Sequence, residues 1–434
     1  MERFIGLIGI IALLGIAYLL SNNKKAIDKK CILWGMSLQI FFAVLILKVP
    51  GGKWVFDKID TIIKKILDFS VEGSMFLFGN LANKDLFGPW EAGFPNNGTW
   101  PGFGFQFAFL VLPTVIFFSS IMAVLYHFGI MQKIIKAISK VMQKTMGTSG
   151  AETASISANI FVGQTEAPLV IKPFINKMTN SELTAVMTGG FATVAGGVMA
   201  AYVLMLSNSI PGIAGHLMAA SIMSAPAALV IAKIIYPETS IPETAKSNIE
   251  LSKVSDEGNF LEALGNGATD GMKLAINIAA MLIAFISVIA LLNWLLGLIP
   301  CSINIMGYTY GNPSMNLSIE IILGYLFMPL AWAMGAPWNE AGQLGSLMGQ
   351  KLVLTEFIAY SNLASNTDLS PRTATIAAYA LCGFANFASI GIQLGGIGAI
   401  APDRKKDLAK LVTKAMLGGA LASWLTATIA GILI

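Results

Sequence analysis

Apolar runs close to twenty residues long recur from one end of this 434-residue chain to the other. A helix of about twenty residues is what crosses a hydrocarbon core roughly 30 Å thick. Only 12 % of the residues are charged and 55 % are hydrophobic, against about 25 % charged in soluble domains. So few charges cannot cover a soluble protein of 46.1 kDa, and the mean hydropathy of +0.70 agrees. The chain reads as a polytopic helical membrane protein, which sets aside a soluble enzyme, a nucleic-acid binder and a disordered scaffold.

The net charge is +4, and the placement of the charges carries more than their sum. Lys24, Lys25, Lys29 and Lys30 follow the first apolar run, 4–20, which has a single Arg before it. The positive-inside rule puts that loop in the cytoplasm and the N-terminus outside, so the run is an anchor and not a cleaved signal. Lys133, Lys136, Lys140 and Lys144 lie on an amphipathic stretch assigned to the same side, as do Arg404, Lys405, Lys406 and Lys410. Eight crossings accommodate every dense basic cluster: 4–20, 31–49, 105–127, 182–208, 213–236, 272–299, 372–398 and 408–434. Residues 54–69 alternate charged and apolar positions with helical period and read as an external interfacial helix, with a polar external loop after it. The run 321–334 is read as embedded without crossing, because a further crossing would turn the basic loop at 404–410 outward.

Two stretches are too polar to face lipid. Residues 147–178 contain Glu152, Glu166 and two prolines, and residues 337–365 contain Glu340 and Glu356. Polar or irregular backbone at membrane depth survives only where protein or a wet cavity surrounds it, so both are expected to be re-entrant hairpins. The chain also repeats itself. Thr165-Glu166 is followed by Gly190-Phe191-Ala192-Thr193-Val194-Ala195, and Thr355-Glu356 is followed at a similar distance by Gly383-Phe384-Ala385-Asn386-Phe387-Ala388. Each copy is span, hairpin, span, span. With three crossings per copy the second copy is inverted, the pattern of secondary transporters whose site lies near mid-membrane.

The expected fold is therefore an all-α polytopic membrane protein of eight transmembrane helices plus two re-entrant helical hairpins, an inverted repeat with broken helices. Residues 1–104 hold the N-terminal helices and the interfacial helix. The first repeat covers 105–236 (hairpin 147–178, broken span 182–208), and a cytoplasmic linker covers 237–271. The second repeat covers 272–434 (span 272–299, hairpin 337–365, broken span 372–398, span 408–434).

Glu166 and Glu356 are the strongest chemical signal. A carboxylate at the bilayer centre costs roughly 2.5–3.5 kcal/mol on insertion scales, so it normally faces a cavity; capping a half-helix is the plainer alternative. Cys31, Cys301 and Cys382 are scattered and His127 and His216 form no cluster, which leaves no basis for a zinc, haem or iron–sulfur site. Arg3, Arg372 and Arg404 lie at the edges of apolar runs, so no arginine is available for an anionic substrate. Two carboxylates without arginine suit a neutral, donor-rich solute or a cation. Gln164 and Thr165 add an amide and a hydroxyl able to read a heterocycle edge. Asn386 and Ser389 share a helical face, where interhelical bonding is the alternative, and Phe384 suits either ring stacking or packing. The glycines from Gly189 to Gly197 suit an unwound span whose carbonyls ligate a hard cation; close helix packing accounts for them equally well.

These residues resemble a family. Gly163-Gln164-Thr165-Glu166-Ala167-Pro168 and Leu381-Cys382-Gly383-Phe384-Ala385-Asn386 are similar to hallmark segments of the concentrative nucleoside transporters. So is the stretch from Gly349 to Tyr360, with Lys351 and Glu356 in place, Thr355 where the family has Asn, and Ile358 where it has Val. The resemblance implies a homotrimer with a scaffold and a mobile transport domain. It implies base contacts at Gln164, Thr165, Glu166 and Val198, and ribose contacts at Glu356, Asn386 and Ser389 with Phe384 close by. It also implies sodium at Asn159, Val162, Thr193 and Val194. Taken together, the expectation is a symporter in the cell (inner) membrane, surrounded by lipid, that imports nucleosides on a cation gradient. Sodium is preferred over protons, and no other cofactor, nucleic acid or enzymatic step is involved. A hairpin carrier for another neutral polar solute, an intramembrane acid–base enzyme and a channel are the rival readings.

Overall fold

The computed structural model describes residues 2–83, 106–207, 209–245, 258–299, 302–305, 308–311, 317–365 and 368–434. Helix α1 (Glu2–Leu19) and helix α2 (Lys29–Leu47) flank the first lysine loop, where Asp28 Oδ1 accepts from the Lys30 N–H at 2.8 Å and starts α2. Helix α3 (Pro50–Phe78) is longer than the expected 54–69. Its proline at the first turn suits a helix start. Past residue 69 only Glu72 is charged, and the helix runs on until Gly79 turns the chain at φ 55°. The first part of the expected external loop is thus helical, and 84–105 lie outside the described residues.

Helix α4 (Phe107–His127) passes through Gly129 (φ 71°) into α5 (Ile130–Met146). Helix α6 (Gly150–Asn159) opens with a capping box in which Ser149 and Glu152 satisfy each other's backbone N–H groups. A turn at 160–166 leads into a 3₁₀ segment, Ala167–Lys177, so the first glutamate-rich stretch doubles back on itself. Helix α7 (Asn180–Ala192) opens with a second capping box, Thr179 with Glu182, and α8 (Gly196–Leu206) and α9 (Ile213–Ile235) follow. Lys233 on α9 pairs with Glu152 Oε2 at 2.8 Å and donates to Ser181 Oγ at 3.0 Å, fastening the starts of α6 and α7 to one cation.

Helix α10 (Phe260–Gly297) begins inside the expected linker 237–271. Asn259 accepts from the Glu262 N–H at 2.9 Å and caps the helix, although its first turns are too polar to be read as a span. A two-stranded antiparallel ribbon follows, β1 (Ser302–Ile305) with β2 (Tyr308–Gly311). Helix α11 (Ile319–Ala333) then bends by 118° into α12 (Trp338–Val353). Next come α13 (Glu356–Ser365), α14 (Pro371–Leu381), α15 (Phe387–Ile400) and α16 (Lys405–Leu433). Among the described residues the architecture is all-helical apart from the ribbon. Among the described residues six helices or helix pairs are long and apolar enough to cross a membrane, or seven if the bent α11–α12 pair is one span. Residues Phe4–Leu19 and Phe387–Ile400 are shorter apolar helices, and the eight-span reading counts both.

Helices α7, α9 and α16 pack together, and polar pairs made by α16 join it to α2 and α9. Gln39 donates to Thr426 at 2.9 Å, and the Ser224 and Thr426 hydroxyls are 3.1 Å apart. Two helical paths are interrupted beside this core. Thr193 (φ −118°, ψ 171°) and Ala195 (φ −66°, ψ 142°) are extended between α7 and α8, and Cys382 and Asn386 are extended between α14 and α15. The two breaks touch. Gly383 has φ +111°, and a Cβ there would lie 2.7 Å from the carbonyl oxygens of Phe191 and Ala192, so only glycine allows the contact.

Candidate functional site

A cavity of about 620 Å³ lies between α4, α8, α10, the turn at 160–166, the start of α13 and the break before α15. Gln164, Thr165, Glu166, Val198, Glu356, Phe384, Asn386 and Ser389 all line it. Those eight residues come from both halves of the chain, and the two carboxylates singled out by their cost to the membrane share one space.

Glu356 is buried at the first position of α13 with both oxygens engaged. Tyr202 donates its phenol to Oε1 at 2.8 Å, and Asn386 donates Nδ2 to Oε2 at 2.7 Å. Asn386 in turn accepts from the Ser389 N–H at 2.8 Å, so one side chain caps α15 and orients the carboxylate. Thr355, where the family pattern has Asn, still accepts from the Ile358 N–H at 3.5 Å and keeps a weak cap on α13. Glu166 is different. It is exposed in the cavity at the turn, and a Cβ at Gly163 would collide with its Oε2. Glycine therefore lets the turn fold under the carboxylate. Gln164 is buried beside it and accepts from Gln393 Nε2 at 3.1 Å, which also donates to the Met187 carbonyl at 3.1 Å.

The four residues expected at a cation site fall on the seam between this turn and the first break. Val162 lines the cavity, and Asn159, Thr193 and Val194 are buried. The Gly196 N–H donates to the Phe161 carbonyl at 2.9 Å across the seam, and Thr193 donates its hydroxyl to the Gly189 carbonyl at 2.9 Å. Asn159 is 1 % exposed, yet among the described residues neither its amide nitrogen nor its oxygen has a protein partner. Buried polar atoms are normally satisfied, so an orphaned amide oxygen at this seam fits an oxygen-seeking ion or an ordered water.

Three features were not expected from the sequence. Tyr202 sits on the broken span and reaches across to the other half. Lys351, wholly buried on α12, donates to the Ala380 carbonyl at 2.9 Å, the Cys382 carbonyl at 3.1 Å and Ser423 Oγ at 2.7 Å. It places a cation on the carbonyls that the end of α14 leaves unpaired, where the helix dipole favours one. Asn266, Asp270 and Asn277 give α10 a polar face on the far wall. The cavity reaches Tyr126 near the end of α4 and Asn266 in the second turn of α10, the end of the bundle nearest α5.

Comparison with known proteins matches residues 8–81 to the N-terminal part and 216–431 to the C-terminal part of Na+ dependent nucleoside transporters. Residues 108–209 match a nucleoside-recognition gate model. The chain is 42 % identical to the transporter YutK of Bacillus subtilis over 99 % of both proteins. It belongs to the Na+ dependent nucleoside transporter family. The nucleoside permease NupC of Helicobacter pylori is 40 % identical, covering 98 % of this chain and 97 % of that one. The sodium/nucleoside cotransporter 1 of Rattus norvegicus is 37 % identical over all of this chain and 64 % of its own length. CNTnw in an inward-facing substrate-bound state matches with TM-score 0.88 and 41 % identity over 100 % of this chain and 99 % of that one. A substituted CNTnw in an outward-facing state gives 0.87 and 40 % over 100 % and 98 %. This transporter family works by moving nucleosides and not by catalysis, and this member is a multi-pass membrane protein.

Proposed function

We propose that the protein is a symporter that imports nucleosides across the cell membrane on a cation gradient, with sodium as the preferred ion. The observation that carries this reading is the meeting of Glu166 with Gln164 and Glu356 with Asn386 in one cavity. Glu356, Asn386 and Ser389 offer acceptors and donors to the ribose hydroxyls, with Phe384 against the ring. Gln164, Thr165 and Glu166 address the edge of the base, and Val198 its face. Sodium occupies the seam between Asn159, Val162, Thr193 and Val194, a reading supported by the buried Asn159 oxygen that no protein donor satisfies among the described residues. Because the ion and the solute share the turn at 160–166, loading one organises the other. A membrane potential adds about 2.3 kcal/mol per charge per 100 mV to the gradient.

The cavity's extent toward the α5 end corresponds to the inward-facing stage of the cycle. The long apolar face of α10, with Ile283 and Trp294 exposed, suits contact with lipid or with neighbouring copies in a homotrimer. The lysine loops support an N-terminus on the outside. Glu166, exposed in the cavity and with no side-chain hydrogen bond or ion pair among the described residues, is the group through which a proton would couple transport if sodium did not.

The test is uptake of radiolabelled uridine by proteoliposomes carrying the purified protein. An imposed inward sodium gradient should drive concentrative uptake of chemically unchanged uridine, and an ionophore should abolish it. Uptake driven only by a proton gradient would transfer the coupling to Glu166. No uptake of any nucleoside under either gradient would reject the reading, and equal competition by amino acids would favour a different solute.

A further inference from the structure

Helix α5 has three faces, and only one of them is used by the fold. Met131, Ile135, Met142 and Met146 are buried against α6 and α2, with the Met146 methyl seated where Gly35 of α2 has no side chain. Lys133, Lys136, Lys140 and Lys144 are exposed on another face, within an arc of about 80° at roughly 100° per residue. The helix contains no Asp or Glu. Among the described residues none of the four lysine side chains makes a hydrogen bond or an ion pair. Between these faces runs a third, the exposed apolar strip of Ile130, Ile134 and Val141.

We propose that this surface binds the headgroups of anionic phospholipids, with the acyl chains lying along Ile130, Ile134 and Val141. Two features separate it from an ordinary solvated face. Four like charges on one arc repel each other unless counter-charge gathers there, and a face meant only for water gains nothing from an apolar strip beside the charges. A cationic arc bordering an apolar strip is the arrangement that holds a helix at a membrane–water boundary, each lysine adding electrostatic attraction to anionic lipid. The consequence reaches the transport site. Only Gly147 (φ 74°), Thr148 and Ser149 separate α5 from α6, whose far end leads into the turn bearing Gln164 and Glu166. Lipid bound to α5 therefore steadies the base of the element that holds the solute.

The test uses the full-length protein purified in a neutral detergent, with thermal unfolding as the readout. Added phosphatidylglycerol should raise the midpoint where equal phosphatidylcholine does not, and the difference should shrink in 1 M salt, where the Debye length falls to about 3 Å. K133Q/K136Q/K140Q/K144Q should require at least about tenfold more phosphatidylglycerol for half the shift. The matching Lys→Arg set and the control K406Q/K410Q should behave as wild type. Equal stabilisation by both lipids, or an undiminished shift in the glutamine variant, would overturn the proposal. So would an equal shift from glycerophosphoglycerol, which has the headgroup and no acyl chains. Should the glutamine variant not fold, the lipid preference and salt dependence of the wild type, with the control variant, still decide it.

Discussion

Tyr202 donates a hydrogen bond from its phenol to Glu356 Oε1 at 2.8 Å, joining the broken span of the first repeat to the start of α13 in the second. Tyr360 stacks beside it with ring centroids 4.4 Å apart, and Phe357 meets it edge-on at 4.8 Å, so the phenol has little freedom to leave. Hydrogen bonds to charged groups contribute about 1.5–3 kcal/mol. Tyr202→Phe keeps the packing and removes only that bond. The expected result is a rise in the uridine KM of roughly 10-fold or more, with a lowered unfolding midpoint because one oxygen of a buried carboxylate loses its donor. Uptake assays paired with thermal unfolding check both halves.

The contact between the two helix breaks depends on one missing methyl. Gly383→Ala would set a Cβ at 2.7 Å from two carbonyl oxygens while forcing alanine to φ +111°. Such backbone costs of order 1–3 kcal/mol before the clash is counted. Gly383→Ala should lower the unfolding midpoint and eliminate uptake. Gly391→Ala, which meets nothing within 4 Å, should do neither.

Lys351 is a positive charge in the interior that no carboxylate neutralises directly; its partners are two carbonyls and a hydroxyl. Lys351→Met leaves those acceptors buried and unsatisfied, at about 1–3 kcal/mol each. A loss of about 3 kcal/mol or more in stability follows, read as a fall in the midpoint. Lys351→Arg should not rescue it, because a planar fork replaces a compact ammonium reaching three divergent acceptors.

Asn159→Ala should raise the sodium concentration for half-maximal uptake by about tenfold or more, a difference of roughly 1.4 kcal/mol. At saturating sodium the uridine KM should stay within about twofold of wild type. Sodium titrations of uptake at fixed uridine measure this. An unchanged sodium dependence would remove Asn159 from the ion site.

Some of this architecture is legible in the sequence because its physical cost is local. Glu166 and Glu356 stand out as charges among apolar runs, and glycine pairs bracket the break at 193–195. The boundaries read poorly where composition misleads. The polar opening turns of α10 resemble a linker, and their helical state rests on the Asn259 cap. The tail of α3 beyond residue 69 has nothing to end it before Gly79. Tyr202 is silent for another reason: an aromatic in an apolar run reads as packing, and its partner lies 154 residues away. Lys351 likewise finds its acceptors on α14 and α16, a matter of tertiary packing. Gln393 did leave a trace, since it lies one helical turn past Ser389, an amide in an apolar stretch on the same face.

The most direct measurement is uridine binding by calorimetry to the purified wild type and to Glu356→Gln, each in sodium and in choline, with Cys382→Ala as a folding control. Wild type and Cys382→Ala should bind in sodium and weaken in choline, while Glu356→Gln should lose roughly 10-fold or more in affinity. Equal affinity for uridine in Glu356→Gln and wild type would contradict the placement of the nucleoside in this cavity.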